Sequence, residues 1–445
     1  MTHIRRSRRG VAVLAIAAAV AFGAAAPAEA STVDGFWYFD ALNVQGAHDA
    51  GWTGEGVTIA VIDSPINTDI PTLANANIEV REPSFCRAAD GSGYLPARST
   101  ELTGASGAFH GAAVASFIAG TGAGFDGQPG VKGVAPDADV LYYAIFGASD
   151  KGGANVECLD AEGGDNADVA LAEAMNEAMD AGARIISVSS SQTPGPELYA
   201  AQIRALRAGV IVVGSLPNTN DVIFTAGWPG AANGSVAVQS AESSGTIPST
   251  DGVSNGRLDT TVIAPGVGLL AQGSDTSWEE QEPVNGTSFA TPITAGLIAL
   301  AAQRFPDATG NQLIQSLIRT TGGEVHEPQY DPAGNIGYGA ASITGMLESD
   351  PAAYPDENPL ITDGPTRIPE IAEIEAGYEA GTEPPSTSPS AAPEDPAAAA
   401  PVGLIVVVVV VLVLVSVVIL IVVLAVRRAK RAAPVQNRGA RSESE

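Results

Sequence analysis

The sequence predicts an α/β domain with a mostly parallel central sheet and helices on both faces. Two observations predict it: short apolar runs recur between residues 57 and 343, and segments of helical character separate them. The strand candidates are Val57–Ile62, Val140–Ile145, Arg184–Val188, Val210–Val213, Ser235–Val238 and Thr261–Ala264. Most are continuous rather than alternating, as expected of strands covered on both faces. The helix candidates are His110–Ala119, Ala167–Ala181, Glu197–Ala208, Ser288–Arg304 and Gly310–Arg319. Ahead of the first strand, Phe36-Trp37-Tyr38-Phe39 is an aromatic cluster expected to pack onto the domain.

The ends of the chain read differently. Arg5, Arg6, Arg8 and Arg9 precede an apolar run from Val11 to Ala26, and Ala28-Glu29-Ala30 offers a small-residue cleavage site. This pattern predicts a secretory signal over residues 1–30, with an uncleaved anchor as the alternative. The expected domain is 31–348, with a short N-terminal extension. Residues 349–403 are rich in Pro, Ala and Glu and read as an extended linker. Leu404 to Val426 is 23 residues with only Ser416 polar, long enough to span a bilayer as a helix. A buried core helix is the alternative there. Arg427, Arg428, Lys430 and Arg431 begin a basic tail, 427–445, that the positive-inside rule places in the cytoplasm. The expectation is a single-pass type I membrane protein with its bulk outside the cell.

Charge and cysteine content narrow the classes. The 445 residues carry 22 Lys and Arg against 50 Asp and Glu, a net charge of −28. Residues 31–400 alone carry 12 against 47, or −35. So acidic a middle excludes a nucleic-acid footprint and reads as a solvated face that keeps an exported domain soluble. The two cysteines, Cys86 and Cys158, suit one disulfide in an exported chain, with two free thiols as the alternative. Their spacing is not a metal motif.

Three segments carry chemistry. Val57 to Asp63 is an apolar strand ending in a carboxylate, where parallel sheets place their sites, although Asp63 could equally cap a turn. His110-Gly111 opens a helix of small residues; His48 and His326 have no comparable context and suit surface roles. Ser288, in Asn285-Gly286-Thr287-Ser288-Phe289-Ala290-Thr291-Pro292, stands at a helix start, where backbone N–H groups favour developing negative charge. The plain alternative is an N-cap serine. A serine hydroxyl needs a base to take its proton, and the base needs a carboxylate to orient it. Asp63, His110 and Ser288 supply all three, in the order Asp, His, Ser.

On these motifs the chain resembles the subtilisin-like serine peptidases over residues 37–345, most specifically through Gly286 to Pro292. The resemblance implies that Asp63 orients His110, that His110 is general base and then general acid, and that Ser288 attacks the scissile carbonyl. It implies an oxyanion-hole amide, for which Asn218 in Gly214-Ser215-Leu216-Pro217-Asn218 is the candidate. It implies a substrate laid as an added strand beside an edge such as Ile185–Ser191, with Ser189, Ser190 and Ser191 binding it. The chain departs from the family pattern at Pro65, Ala112, Pro217 and the Ser189-Ser190-Ser191 run.

Within the family the layout is similar to the mycosins, membrane-anchored peptidases of actinobacterial type VII secretion. The segment Gly51 to Val57, the short stretch between Ala30 and Asp63 and the C-terminal helix with its basic tail carry that likeness. It allows Cys86 and Cys158 to tie the 81–109 loop to the 148–166 loop. No cofactor is implied. Calcium suits the family and the acidic surface, but no compact ligand loop assigns it. The function expected is a membrane-anchored, extracytoplasmic serine endopeptidase acting on protein or peptide substrates, linked to type VII secretion components. The alternatives are a subtilisin-fold scaffold that stabilises a secretion complex and a general surface sheddase.

Overall fold

Strand β1 (Thr58–Asp63) lies inside a seven-stranded sheet in the computed structural model, which describes residues 35–88, 92–103, 107–146, 167–218, 227–331, 335–364 and 367–377. The other strands are β2 (Ile78–Val80), β3 (Asp139–Ala144), β4 (Ile185–Val188), β5 (Ile211–Ser215), β6 (Val236–Ala241) and β7 (Val262–Pro265). The order across the sheet is β7-β6-β5-β4-β1-β3-β2, and every neighbouring pair is parallel. Side chains alternate along a strand, so β1 serves two cores. Ile59 and Val61 join the apolar cluster containing helices α3 (Phe109–Ala119) and α6 (Thr287–Arg304). Ala60 and Ile62 join the cluster containing α4 (Ala167–Asp180) and α5 (Pro196–Ala208). Covered on both faces, the sheet requires the continuous apolar runs seen in the sequence.

The boundaries read from the sequence lie within a few residues of those observed. Gly310–Arg319 (α7) matches at both ends and is fixed by a capping box, with Thr309 and Gln312 satisfying each other's backbone N–H. The three-residue β2 is too short to carry a periodic signal. A hairpin, β8 (Leu269–Gln272) and β9 (Gln281–Val284), was also not foreseen, because Pro283 and the polar residues of β9 disguise it. The aromatic cluster packs as expected. It forms α1 (Trp37–Ala41), where the Tyr38 hydroxyl donates to the Lys132 carbonyl at 2.5 Å and Trp37 Nε1–H to the Val267 carbonyl at 3.1 Å.

The segment read as linker begins on the domain. Residues 349–364 and 367–377 run as a belt along α7, the start of β6 and α5, ending in the short helix α9 (Ile371–Ala376). Asn233, 1% exposed, clamps this belt. Its Nδ2 donates to the carbonyls of Thr362 and Pro369 at 3.1 and 2.9 Å, and its Oδ1 accepts from the Thr362 N–H at 3.0 Å. Ile374 is buried in the α4/α5 core, and Arg207 donates to the carbonyls of Ile374 and Glu375. Composition suggested a linker because the belt is Pro- and acid-rich; it is held chiefly by backbone carbonyls, which composition does not register. Among the described residues no helix is long and apolar enough to cross a membrane. The expected signal, the rest of the linker, the span 404–426, the tail and Cys158 lie outside the described residues; Cys86 is buried.

Replacing Asn233 by Ala strands buried belt carbonyls. Urea unfolding is expected to show a loss of about 1–3 kcal/mol, and limited proteolysis to cut within 354–364 earlier than in the parent.

Candidate active site

The site forms at the carboxyl ends of the central strands. β1 ends at Asp63, which is 1% exposed. One oxygen, Oδ1, accepts from three donors: His110 Nδ1–H at 2.7 Å, the Ser64 N–H at 2.7 Å and the Ser64 hydroxyl at 3.1 Å. Ser64 Oγ in turn accepts from the Gly111 N–H at 3.0 Å, and Tyr142 OH donates to the Ser64 carbonyl at 2.7 Å. A Cβ at position 111 would strike the Tyr142 hydroxyl and come within 2.5 Å of the Pro65 carbonyl, so only Gly lets α3 approach this closely. Ser64 and Tyr142 are supporting residues that the sequence reading passed over. A tyrosine inside an apolar strand candidate gives no outward sign of a polar task.

His110 stands in the first turn of α3, partly exposed, its ring 5.6 Å from that of Phe289. Burial disfavours its cation, but the Asp63 charge and the hydrogen bond from Nδ1 favour it more, so its pKa is raised above 6.5. Burial, and then the Asp63 charge, hold the Tyr142 phenol well above its ordinary range and keep it a neutral donor. The chain's other described histidines do structural work. His48 Nε2 pairs with the Val134 carbonyl at 2.9 Å, and His326 with Thr321 and the Glu327 carbonyl.

Ser288 is the second residue of α6, whose N-cap is Gly286 with φ +150°. A side chain at 286 would be strained, and its Cβ would press on the Asn218 amide at 3.2 Å. Asn218 Oδ1 accepts from the Thr287 N–H at 2.9 Å and from its hydroxyl at 3.2 Å. The bond from the Thr287 N–H fixes the flip of the amide and leaves Nδ2 as a donor without a partner among the described residues. Ser288 Oγ donates to the Ser189 carbonyl at 3.1 Å, while Ser189 Oγ donates back to the Ser288 carbonyl at 2.7 Å. The fold therefore brings Asp63 onto His110, and Ser288 onto Ser189 and beside Asn218. Its resting serine proton is directed to Ser189, not to the imidazole.

The substrate edge expected at Ile185–Ser191 needs correction. β4 pairs with β1 on one side and β5 on the other, so residues 185–188 have no free edge. Only Ser189–Ser191, beyond the paired strand, offers backbone, and Gln192 then bridges to Trp228. Of the three serines, Ser189 braces the nucleophile, Ser190 lines the cleft with a buried Oγ, and Ser191 donates to the Ser215 carbonyl at 3.4 Å. Among the described residues no group of three or more His, Cys, Asp or Glu is placed to hold a metal ion.

Known proteins share the sequence pattern and the fold. The model of the subtilase family matches residues 54–340. A thermostable alkaline protease of Halalkalibacterium halodurans is 30% identical over 64% of this chain and 67% of its own length. M-protease of Shouchella clausii is 28% identical over 64% of each. The chain thus spans about two thirds of these relatives. A solved structure of MycP1 from the ESX-1 type VII secretion system shares the fold, with a TM-score of 0.52 at 23% identity, covering 73% of this chain and 88% of that one.

A base must be neutral to take a proton, and a raised His110 pKa keeps it charged further up the pH scale. The rate of reaction of Ser288 with a fluorophosphonate is expected to fall on the acid side with an apparent pKa above 6.5. In Asp63→Asn that limb moves below the parent's, because burial then acts unopposed, and the plateau rate drops by about 10⁴-fold.

Proposed function

The chain belongs to the subtilase family, and from that membership we propose that it is a membrane-anchored, extracytoplasmic serine endopeptidase working through Asp63, His110 and Ser288. The observation that carries the reading is the 2.7 Å bond from His110 Nδ1 to a buried carboxylate, which fixes the tautomer and leaves Nε2 as the proton acceptor. In this mechanism substrate displaces the Ser288 hydroxyl from Ser189 and turns it to Nε2; resting catalytic hydrogen bonds are often misaligned until substrate binds. Ser288 Oγ attacks the carbonyl, and its proton passes to His110, whose cation Asp63 stabilises. The Ser288 N–H and Asn218 Nδ2 receive the oxyanion. His110 then protonates the leaving amine, and a water attacks the acyl-enzyme by the reverse path.

The anchor at 404–426, the signal at 1–30 and the Cys86–Cys158 bridge belong to this proposal on the strength of sequence. So does a link to type VII secretion components, which rests on the mycosin-like layout beside the shared fold. A scaffold role is the second reading, favoured by the resting bond from Ser288 to Ser189 in place of one to His110.

Labelling of the full chain in detergent with a fluorophosphonate is expected, and is lost in Ser288→Ala; an unlabelled, folded parent would leave the scaffold reading. Asn218→Ala is expected to lower kcat by about 10²–10³ with KM little changed, measured on a peptide substrate.

A further inference from the structure

Two cavities of the domain share Asp275. One, about 360 Å³, adjoins the candidate site and is lined by Asp275 with Asp63, His110, Phe109, Leu102 and Ser190. The other, about 670 Å³, is lined by Glu279, Glu280, Glu282 and Gln128 along with Asp275. Among the described residues no Lys or Arg lines either cavity. Among the described residues, none of these four hairpin carboxylates belongs to an ion pair. Among the described residues two buried oxygens that line the first cavity, Asp63 Oδ2 and Ser190 Oγ, have no hydrogen-bond partner.

Asp275 sits on a well-supported hairpin tip. It lies in the β8–β9 turn, where Ser274 Oγ accepts from the N–H groups of Thr276 and Ser277 at 3.1 and 3.0 Å and donates to Glu280 at 2.6 Å. Gln272 Nε2 crosses the turn to the carbonyls of Trp278 and Glu280. Trp278 Nε1–H ties the turn to the Thr100 carbonyl at 2.6 Å, and Gly273 packs so closely on Phe109 and Trp278 that a Cβ there would lie 2.9 Å from the Phe109 ring. The turn is thus held against Phe109, the residue that precedes His110, and Asp275 stands exposed on the wall of the shared cavity.

We propose that Asp275 is a specificity residue that receives a lysine or arginine side chain of the substrate next to the scissile bond. The methylene stem lies on Phe109 and Leu102 while the charged head meets the carboxylate, the division of labour that long basic side chains adopt. Glu279, Glu280 and Glu282 extend the preference to a basic segment of the substrate, and a net charge of −28 steers such segments inward. This inference rests on the endopeptidase reading and names its substrate class.

The test compares kcat/KM for paired fluorogenic peptides in which Lys or Arg at each position flanking the scissile bond is replaced by norleucine or glutamine, using the full chain in detergent. At one position the basic peptide is expected to be preferred by roughly tenfold or more, and about 0.5 M salt to shrink that ratio. Asp275→Asn is expected to bring the ratio toward one, and Asp275→Lys to invert it in favour of glutamate. The double variant Glu279→Gln/Glu282→Gln reduces preference only for peptides with further basic residues. A ratio near one in the parent, or a preference untouched in Asp275→Asn, overturns the proposal. Fluorophosphonate labelling of the parent separates the two failures. A labelled chain with no charge preference sinks this inference alone, whereas an unlabelled one sinks the peptidase reading and this with it.

Discussion

Asp63 Oδ1 gathers three hydrogens at the end of a buried parallel strand, and most of the site's geometry follows from keeping it there. A carboxylate held inside a domain is costly unless its charge is matched. Here the imidazole ring and two donors from Ser64 match it. Ser64 is held by the Gly111 N–H and by Tyr142, so the strand β1, its neighbour β3 and the helix α3 are locked at one point. The absence of a side chain at 111 permits that lock. Replace Gly111, and α3 must retreat from Ser64, carrying His110 away from Asp63.

The nucleophile's side is built on a separate constraint. Gly286 adopts a backbone conformation closed to other residues, and through it Thr287 reaches Asn218. One threonine thereby orients the Asn218 amide while the next residue carries the Ser288 hydroxyl. Ser189 belongs to this half as well, exchanging hydrogen bonds with Ser288 in both directions. The two halves approach each other through the rings of His110 and Phe289.

Much of this was legible in the sequence, for physical reasons. Strands covered on both faces must be continuously apolar, so five strands of the sheet besides β1 announced themselves along with it, except β2, whose three residues carry no period. Asp63, His110 and Ser288 were legible because each interrupts a pattern: a carboxylate after an apolar strand, an imidazole and a hydroxyl at helix starts. Asn218 needed the resemblance, since an asparagine in a loop has no signature of its own. Ser64 and Tyr142 were missed because their work lies in hydrogen bonds to backbone and neighbours, and the expected edge reached too far back, over residues 185–188, because edge status depends on which strands become neighbours. The belt was misjudged for a related reason. Its apolar contribution is small, Ile374 and Leu360, and its hold comes from Asn233, Asn358 and Arg207 gripping main-chain carbonyls.

That belt also defines a path for mechanical load. The described belt ends in α9, which rests on α5, on the sheet face shared with α4. The helices bearing His110 and Ser288 lie on the opposite face. Tension applied at Gly377 would be taken first by the Arg207 contacts, then by the Asn233 clamp. The sheet stands between that load and the helices bearing His110 and Ser288, so the belt can yield before the imidazole and the hydroxyl are drawn apart.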